Sequence, residues 1–303
     1  MNVKIVLTKN LNLYQDQIER IKSIGEVKFY HDESASPDEW LERCKGADII
    51  CSGVFGLRSD KVYELRDVFL SLPFVGVDFL DKKKLAERNI IVSNTPGCNK
   101  EAVTEWIIGM ILMRFRRLNE LTNTTNQNRK EVIQTGASLY NKKITILGVG
   151  NIGRYLGSIC ECLGMKVTFF RREDDLLASV ENADIIVNCL GVNETTNKLL
   201  DKTFFSSLKK GSFFASIARH QTYDVQALIN ALDKEILIGA VDDMAHIDIG
   251  DVNNDDYKAL LTHPKMFITP HIAWSADSEI RKSNDIMIDN IEAWINKKPI
   301  NLI

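Results

Sequence analysis

Short apolar runs alternate along the whole chain with segments of helical periodicity. The runs lie at residues 3–8, 26–30, 47–53, 73–78 and 90–94, and then at 143–150, 166–170, 183–190, 211–218, 236–243 and 266–270. Apolar residues at consecutive positions are typical of parallel strands that helices cover on both faces. The pattern therefore predicts an α/β protein with two doubly wound parallel sheets.

Three segments outside these runs bear on how the chain is organised. Residues 95–97, Thr-Pro-Gly, interrupt the pattern because proline and glycine end a strand and favour a turn. Residues 100–118 are predicted to form a long helix with apolar residues on nearly all faces, which indicates burial against a domain or a second subunit. Residues 122–138 are polar and aperiodic and are interpreted as a linker or an extended arm.

Composition narrows the possible classes of protein. The 303 residues would fill about two average domains, and the 45% hydrophobic and 26% charged fractions are those of a globular chain. A net charge of -3 gives no electrostatic reason to bind nucleic acid or an anionic membrane. The six cysteines form no Cys-x-x-Cys pair, and neither a secretory signal nor an apolar run of membrane-spanning length is evident. We therefore expect a reduced, cytoplasmic protein without a metal site, a nucleic-acid partner or a membrane anchor.

A G-x-G-x-x-G motif runs from Gly148 to Gly153 between a predicted strand and a predicted helix. This context is typical of a dinucleotide-binding βαβ unit. Gly148 would allow the tight turn, Gly150 the close approach of a pyrophosphate, and Gly153 the packing of helix on strand. Free N–H groups at the helix N-terminus would bind the phosphates. The alternative is a tight βα turn without a ligand.

The residues that end the next strand bear on which nucleotide binds. An NAD site favours Asp or Glu there, whereas this chain has Arg171 and Arg172, with carboxylates only from Glu173 onwards. An arginine can pair with the 2′-phosphate of NADP through two hydrogen bonds. We expect NADP(H) to bind better than NAD(H), which stays possible. The alternative is a solvated charge run at a strand end.

Three charged or titratable residues follow late strands, namely Arg219, Asp248 and His271. Ligands of open α/β sheets bind beyond the carboxyl ends of the strands. A histidine held charged by a carboxylate can protonate a carbonyl oxygen, and an arginine can bind a substrate carboxylate and polarise the adjacent carbonyl. The alternatives are a strand-end histidine, a salt-bridge arginine and a solvated loop carboxylate.

At this point the sequence resembles the D-2-hydroxyacid dehydrogenase family (D-isomer specific 2-hydroxyacid dehydrogenases) over nearly its whole length. The matching stretches are FVGVD (74–78), NTPGCNKEAVTEW (94–106), ITILGVGNIG (144–153), ETTNKLL (194–200), IARHQTYDVQAL (217–228), GAVDD (239–243) and ITPHIAW (268–274). The resemblance implies a catalytic arginine at Arg219 and a catalytic acid/base at His271. It places Asp248, five residues beyond a coenzyme-contacting Asp243, where the family has Glu.

The resemblance and the motifs together imply two sets of binding residues. The expected coenzyme contacts are Gly148, Gly150, Asn151, Ile152, Gly153, Arg171, Arg172, Leu190, Gly191, Thr196, Ala218, Asp243 and His271. The expected substrate contacts are main-chain amides of Ser52, Gly53, Val54, Phe55, Val75 and Gly76, together with Arg219 and Trp274. Trp274 has two alternative roles: it lines the substrate pocket, or it closes the domain boundary.

The resulting hypothesis is a two-domain oxidoreductase. We expect residues 1–95 and 275–303 to form a flavodoxin-like substrate domain, with a Rossmann coenzyme domain at 96–274 inserted into it. The enzyme would reduce a small 2-oxo acid, of glyoxylate or hydroxypyruvate size or larger, to the D-2-hydroxy acid, as a homodimer paired through its coenzyme domains. The alternatives are a phosphoglycerate dehydrogenase-type enzyme and a non-catalytic nucleotide-sensing or partner-binding homologue, since Phe79, His220 and Asp248 depart from the family pattern.

Overall fold

The computed structural model describes residues 3–118, 136–245 and 253–303. The chain forms two compact units, the first made of Met1–Asn99 and Ser275–Ile303 and the second of Lys100–Trp274. Within the described residues, no helix is long and apolar enough to cross a membrane. All six cysteines are free thiols.

The first unit contains a five-stranded parallel sheet in the order β2-β1-β3-β4-β5. Its strands are β1 (Lys4–Leu7), β2 (Glu26–Phe29), β3 (Ile49–Cys51), β4 (Phe69–Ser71) and β5 (Ile91–Ser93). Its helices are α1 (Gln15–Ile24), α2 (Pro37–Cys44), α3 (Val54–Leu57), α4 (Lys82–Glu87) and the C-terminal helix Asp277–Ile295, with a 3-10 helix at Asp60–Glu64.

Helices cover this sheet on both faces because its central strands β1, β3 and β4 are apolar and buried at most of their positions. One core cluster includes Ile5, Ile49 and Phe69 with Met287 and Ile288 of the C-terminal helix. The other includes neighbouring strand residues on the opposite face together with residues of α2 and α4. Consecutive strand residues point to opposite faces of a sheet, so each central strand contributes to both clusters.

The second unit contains a six-stranded parallel sheet in the order β11-β10-β9-β8-β6-β7. Its strands are β6 (Lys143–Leu147), β7 (Lys166–Phe170), β8 (Ile185–Asn188), β9 (Ser212–Ser216), β10 (Leu237–Asp242) and β11 (Met266–Ile268). Its described helices are α5 (Lys100–Phe115), α6 (Asn151–Cys162), α7 (Leu176–Val180), α8 (Lys202–Ser207), α9 (Val225–Asp233) and α10 (Asp255–Thr262), with a 3-10 helix at His220–Thr222. The C-terminal helix Asp277–Ile295 is accordingly α11.

Strand β9 shows how this second sheet is buried on both faces. Phe213 belongs to the cluster that contains Ile107 and Ile111 of α5. The next residue, Phe214, belongs to the opposite cluster, where Phe205 of α8 lies edge-on to it with ring centroids 5.4 Å apart. The predicted fold class, two parallel sheets covered by helices, is confirmed.

Three sequence expectations differ from the structure or fall outside its described part. The run at 73–78 is not a strand, and β4 lies at Phe69–Ser71 instead. Proline lacks the N–H that a sheet ladder needs, so Pro73 ends pairing just after β4.

Helix α5 is shorter than the predicted helix at 100–118, because it ends at Phe115. It buries one stripe of residues, while Met110 is partly exposed. Most of the predicted arm, residues 122–135, lies outside the described residues.

Candidate active site

The glycine motif forms the turn between β6 and α6, and two of its glycines are required by the backbone. Gly148 has a φ of +100°, and a Cβ there would lie 2.7 Å from the carbonyl oxygen of Cys189 at the end of β8. A Cβ on Gly153 would lie 2.1 Å from the carbonyl oxygen of Gly148. A side chain at either position would disrupt the turn, since real Cβ atoms do not come this close to a carbonyl oxygen.

Gly150 plays a different part in the same turn. It is the N-cap of α6, and no atom lies within 4 Å of a Cβ built on it. Asn151 and Ile152 begin the helix, whose first N–H groups have no intrahelical acceptor. This open cradle at a helix N-terminus lies between the carboxyl ends of β6 and β8, where the strand order reverses. Both features fit the pyrophosphate of a dinucleotide.

Two carboxylates that follow β7 accept hydrogen bonds from main-chain N–H groups. The Asp174 carboxylate accepts the Arg171 N–H at 2.7 Å. The Asp175 carboxylate caps α7 by accepting from the N–H groups of Leu177 and Ala178 at 2.9 and 3.1 Å. The two arginine side chains are exposed, and the Arg172 guanidinium donates to Thr195 Oγ1 at 3.0 Å.

The loop after β8 is held by its own polar side chains. The Thr196 hydroxyl donates to the Gly191 carbonyl at 2.7 Å, and the Leu190 N–H donates to Asn188 Oδ1 at 3.3 Å. The Asn193 carboxamide oxygen accepts from both the N–H and the hydroxyl of Thr195. This hydrogen-bonded loop lies beside the glycine turn. It contains three residues predicted to contact the coenzyme, namely Leu190, Gly191 and Thr196.

Arg219 is the N-cap of the 3-10 helix that follows β9, and it comes directly after the predicted coenzyme contact Ala218. The Arg219 carbonyl accepts from the N–H and hydroxyl of Thr222 at 3.1 and 2.8 Å. The Thr222 hydroxyl in turn accepts from the Asn188 carboxamide at 2.9 Å. This chain of bonds ties the Arg219 turn to the end of β8, beside the loop that contains Leu190, Gly191 and Thr196. Ala218 is buried.

His271 follows β11 and has left-handed backbone, with a φ of 56°. Its ring is partly exposed and lies edge-on to Trp274, with ring centroids 6.3 Å apart. Trp274 itself is 37% exposed. The two aromatic side chains thus share one surface at the carboxyl edge of the six-stranded sheet.

Two buried aspartates lie at the carboxyl end of β10: Asp242 is its last residue and Asp243 follows it. Strand β10 lies between β9 and β11, the strands that precede Arg219 and His271. The Asp243 carboxylate accepts from donors of the segment 269–273. The Asp242 carboxylate accepts from the Tyr223 hydroxyl at 3.0 Å and the Met244 N–H at 2.7 Å, and burial raises its pKa to about 7. Sequence reasoning missed Asp242 and Tyr223; an acid at the end of an otherwise apolar strand was the only signal for Asp242.

In the first unit, residues 52–55 follow β3 and lead into α3. The buried Ser52 hydroxyl accepts hydrogen bonds from the Thr8 hydroxyl and from Trp40 Nε1, both at 2.9 Å. This side chain therefore contributes to the packing of the first unit. Gly53 and Val54 follow it, and Phe55 is 44% exposed.

The second predicted substrate segment lies in the bend after β4. There the Val75 carbonyl accepts from the Asn94 carboxamide at 2.7 Å, and Gly76 is the next residue. Asp248, the third predicted catalytic residue, lies outside the described residues. Among the residues that are described, no cluster of His, Cys, Asp and Glu could hold a metal ion.

Comparison with known proteins places these features in context. The family model described as "D-isomer specific 2-hydroxyacid dehydrogenase, NAD binding domain" matches residues 108–273, more than half of the chain. A glycerate dehydrogenase of Methylorubrum extorquens is 25% identical over 299 residues, covering 93% of this chain and 95% of its own length.

Solved structures share the fold over the whole chain. An acyclic imino acid reductase in complex with NADPH and D-arginine has a TM-score of 0.82 at 22% identity, covering 99% of this chain and 100% of that one. A 3-phosphoglycerate dehydrogenase of Entamoeba histolytica with bound NAD+ has a TM-score of 0.78 at 21% identity, covering 100% and 99%. At these identities the likeness is one of fold.

Proposed function

Because this chain belongs to the D-isomer specific 2-hydroxyacid dehydrogenase family, we propose that it reduces a small 2-oxo acid to the D-2-hydroxy acid. The substrate would be of glyoxylate or hydroxypyruvate size, or larger. One observation carries the proposal: Arg219 and His271 follow β9 and β11 at the same carboxyl edge of the sheet as the open glycine turn. An anion-binding side chain and a titratable ring therefore lie beside a dinucleotide site.

The chemistry divides between the coenzyme and the side chains. Bound NAD(P)H supplies a hydride to the carbonyl carbon of the substrate. His271 in its protonated form gives a proton to the carbonyl oxygen, so that one hydride and one proton are added in total. Arg219 binds the substrate carboxylate and polarises the carbonyl.

The other assigned residues keep the roles implied by the resemblance. Asp248 stabilises the protonated ring of His271. Main-chain N–H groups of residues 52–55 and of Val75 and Gly76 receive the substrate carboxylate.

NADP(H) is the coenzyme we propose. Two observations support this preference: the exposed guanidinium groups of Arg171 and Arg172 follow β7, and the nearby Asp174 and Asp175 carboxylates already accept main-chain N–H groups. Bonding of those carboxylates to a ribose diol would require breaking these bonds. Glu173, which is exposed, is the remaining acid of this loop.

The coenzyme proposal is tested by measuring dissociation constants of NADPH and NADH by fluorescence titration. For Arg172→Ala we expect the NADPH dissociation constant to rise about tenfold and that of NADH to stay nearly constant, since one charge-assisted contact is lost only for NADP. Lys166→Ala is the matched control, because it removes a cation from the opposite end of β7. Equal affinity of the wild-type protein for both coenzymes would contradict the preference.

The reaction is tested by following NADPH oxidation against 2-oxo acids graded by side-chain size, with phosphohydroxypyruvate included. We expect turnover with at least one of them and a D-configured product, measured by chiral chromatography. Coenzyme binding without oxidation of NADPH or NADH across the whole panel would reject the reductase and favour a nucleotide-sensing protein. Turnover restricted to phosphohydroxypyruvate would identify a phosphoglycerate dehydrogenase-type enzyme.

The expected assembly is a homodimer through the coenzyme domains in the cytoplasm. The dimer is supported by the apolar face of α5, where Met110 and Met113 are partly exposed. The proposed location in the cytoplasm is supported by the six free thiols. Sedimentation equilibrium measures the mass of the assembly directly. A monomer at micromolar concentration would reject the dimer.

A further inference from the structure

Asp243 lies at the centre of the contacts that shape the His271 turn. It follows β10 directly and is 1% exposed, and its N–H donates to the Ser216 carbonyl of β9 at 3.1 Å. Its main chain is therefore fixed by the sheet. From this fixed point its carboxylate reaches the segment that follows β11.

Both carboxylate oxygens of Asp243 are occupied by that segment. One oxygen accepts from the Thr269 hydroxyl and from the Ile272 N–H, the latter at 2.9 Å. The other accepts from the Ala273 N–H, also at 2.9 Å. These three donors therefore tie the Asp243 carboxylate to residues 269, 272 and 273.

The three donors flank His271 on both sides in sequence. His271 follows Pro270 and has a φ of 56°, a conformation that L residues with a side chain rarely adopt. Such a backbone persists only where its surroundings determine it, and here the bonds at residues 269, 272 and 273 do so. The direction in which the imidazole leaves the main chain depends on that turn.

We infer that Asp243 is a positioning residue for His271, whose carboxylate holds the 269–273 turn and thereby aims the imidazole. This inference rests on the proposed role of His271 as proton donor. It assigns to Asp243 an action on the acid/base that is separate from the coenzyme contact that the family resemblance implies. Proton transfer is sensitive to the alignment of donor and acceptor, so a small rotation of the turn lowers the rate of the chemical step.

The first test substitutes Asp243→Asn, whose carboxamide has one acceptor oxygen and so cannot accept all three bonds. We expect kcat to fall at least about tenfold, the NADPH dissociation constant to stay within about twofold, and the primary deuterium isotope effect on kcat to rise as the chemical step becomes limiting. Asp184→Asn is the matched control, because Asp184 also accepts a main-chain N–H, from Lys143 at 2.9 Å, but at the amino edge of the sheet.

Thr269 provides a milder pair of variants if Asp243→Asn does not fold. Thr269→Val removes one donor and keeps the shape, so we expect a smaller loss of kcat in the same direction. Thr269→Ser keeps the hydroxyl and should restore the wild-type kcat. In the His271→Ala background, either substitution should cause no further loss of kcat, because the group that is positioned is absent.

A readout without coenzyme separates this inference from the proposed function. We expect Asp243→Asn or Thr269→Val to shift the NMR signals of the His271 ring and of the 269–273 amides, with Asp184→Asn leaving them unchanged. Unchanged signals overturn the inference even if the protein proves to be an active reductase. An increase of tenfold or more in the NADPH dissociation constant with kcat preserved also overturns it, since Asp243 would then be a coenzyme contact.

Discussion

The two sheets share a topology but differ at the point where a ligand is expected. In each, the first, third and fourth strands run outward in order and the second lies on the other side of the first, so the strand order reverses between the first and third strands. In the six-stranded sheet this point carries the glycine turn, where a Cβ on Gly150 would meet no atom. Open space and free N–H groups remain there for an anion.

The corresponding point of the five-stranded sheet is filled by side chains. Thr8 follows β1 and its hydroxyl donates to Ser52 after β3, while Trp40 donates to the same oxygen. The Lys9 side chain lies against Gly53, where a Cβ would come within 2.7 Å of its Cδ. The comparison shows that sheet topology supplies a place for a ligand, and that the side chains at the strand ends decide whether that place has room for the pyrophosphate of a dinucleotide.

The largest expected effect of this difference is on turnover. His271→Ala should lower kcat by roughly 10²- to 10⁴-fold, because general acid catalysis acts in the transition state. The NADPH dissociation constant should stay nearly constant. Trp40→Phe, at the filled point of the other sheet, should instead lower the free energy of unfolding by about 1–3 kcal/mol by leaving a buried hydroxyl short of a donor, and it should leave the NADPH dissociation constant unchanged. Steady-state kinetics and urea unfolding measure both, and a His271→Ala variant that retains most of its kcat would remove His271 from the acid role.

A second expected effect concerns the geometry of anion binding by Arg219. Arg219→Lys should lower kcat/KM for the 2-oxo acid by about 100-fold, since a single ammonium group cannot reproduce two parallel guanidinium bonds. The affinity for NADPH should change little. The measurement is kcat/KM across the 2-oxo acid panel, and full activity of the lysine variant would show that charge alone suffices.

Two glycine substitutions test the open and filled points directly. Gly150→Ala should lower the free energy of unfolding by less than about 1 kcal/mol, because its Cβ meets no atom and alanine is only a poorer N-cap than glycine, yet raise the NADPH dissociation constant about tenfold by occupying the cradle. Gly56→Ala should do the opposite, since its Cβ would lie 2.1 Å from the buried Trp40 ring, and overpacking costs about 1–3 kcal/mol. Urea unfolding and fluorescence titration separate the two patterns; a loss of about 2 kcal/mol or more in Gly150→Ala, well above the roughly 1 kcal/mol of a changed cap, would mean that the turn is not open.

The last expected effect is the pH dependence of stability at the carboxyl edge of the six-stranded sheet. Burial raises the pKa of Asp242 from 3.8 to about 7, so between these values the folded protein holds a proton that the unfolded chain releases. The free energy of unfolding should therefore fall as pH rises from about 4 to 7, by at most about 1.4 kcal/mol per pH unit, and level off above.

Asp242→Asn has no carboxyl group to titrate at this position, so it serves as the reference for the pH dependence of the wild-type protein. The difference in the free energy of unfolding between wild type and Asp242→Asn, measured in urea between about pH 5 and 8, isolates the contribution of one carboxyl group. The hydroxyls at the filled point of the five-stranded sheet do not titrate in this range, so that point should contribute no such slope. A difference that rises with pH would contradict the predicted sign.

Most of the fold could be predicted from local pattern, and the exception has a clear cause. The runs that form β6, β7 and β9 are apolar at consecutive positions and lie between helical segments. The spacing of their apolar residues and the segments on either side therefore both predict a strand. The run at 73–78 is similarly apolar, but it begins with a proline and follows a strand of only three residues, Phe69–Ser71. A strand that short carries little periodic signal of its own.

The candidate site could be predicted to the level of strand ends and no further. The placement of Arg219 after β9 and of His271 after β11 follows from sequence, because the residue after a parallel strand lies at the sheet's carboxyl edge. The roles of Asp242 and Tyr223 could not be read in this way. They are 19 residues apart and meet only because β9 and β10 are neighbours in the sheet.

The sequence by itself determined the fold class, the glycine turn and the family, since strand periodicity and short motifs are local properties of the chain. Tertiary structure alone decided which of two equivalent sheet positions is open, which carboxylates after β7 are engaged, and what the Asp243 carboxylate holds. These are questions of how side chains from distant segments share donors, acceptors and space. Such contacts exist only after the strands have been brought side by side, so no local pattern encodes them.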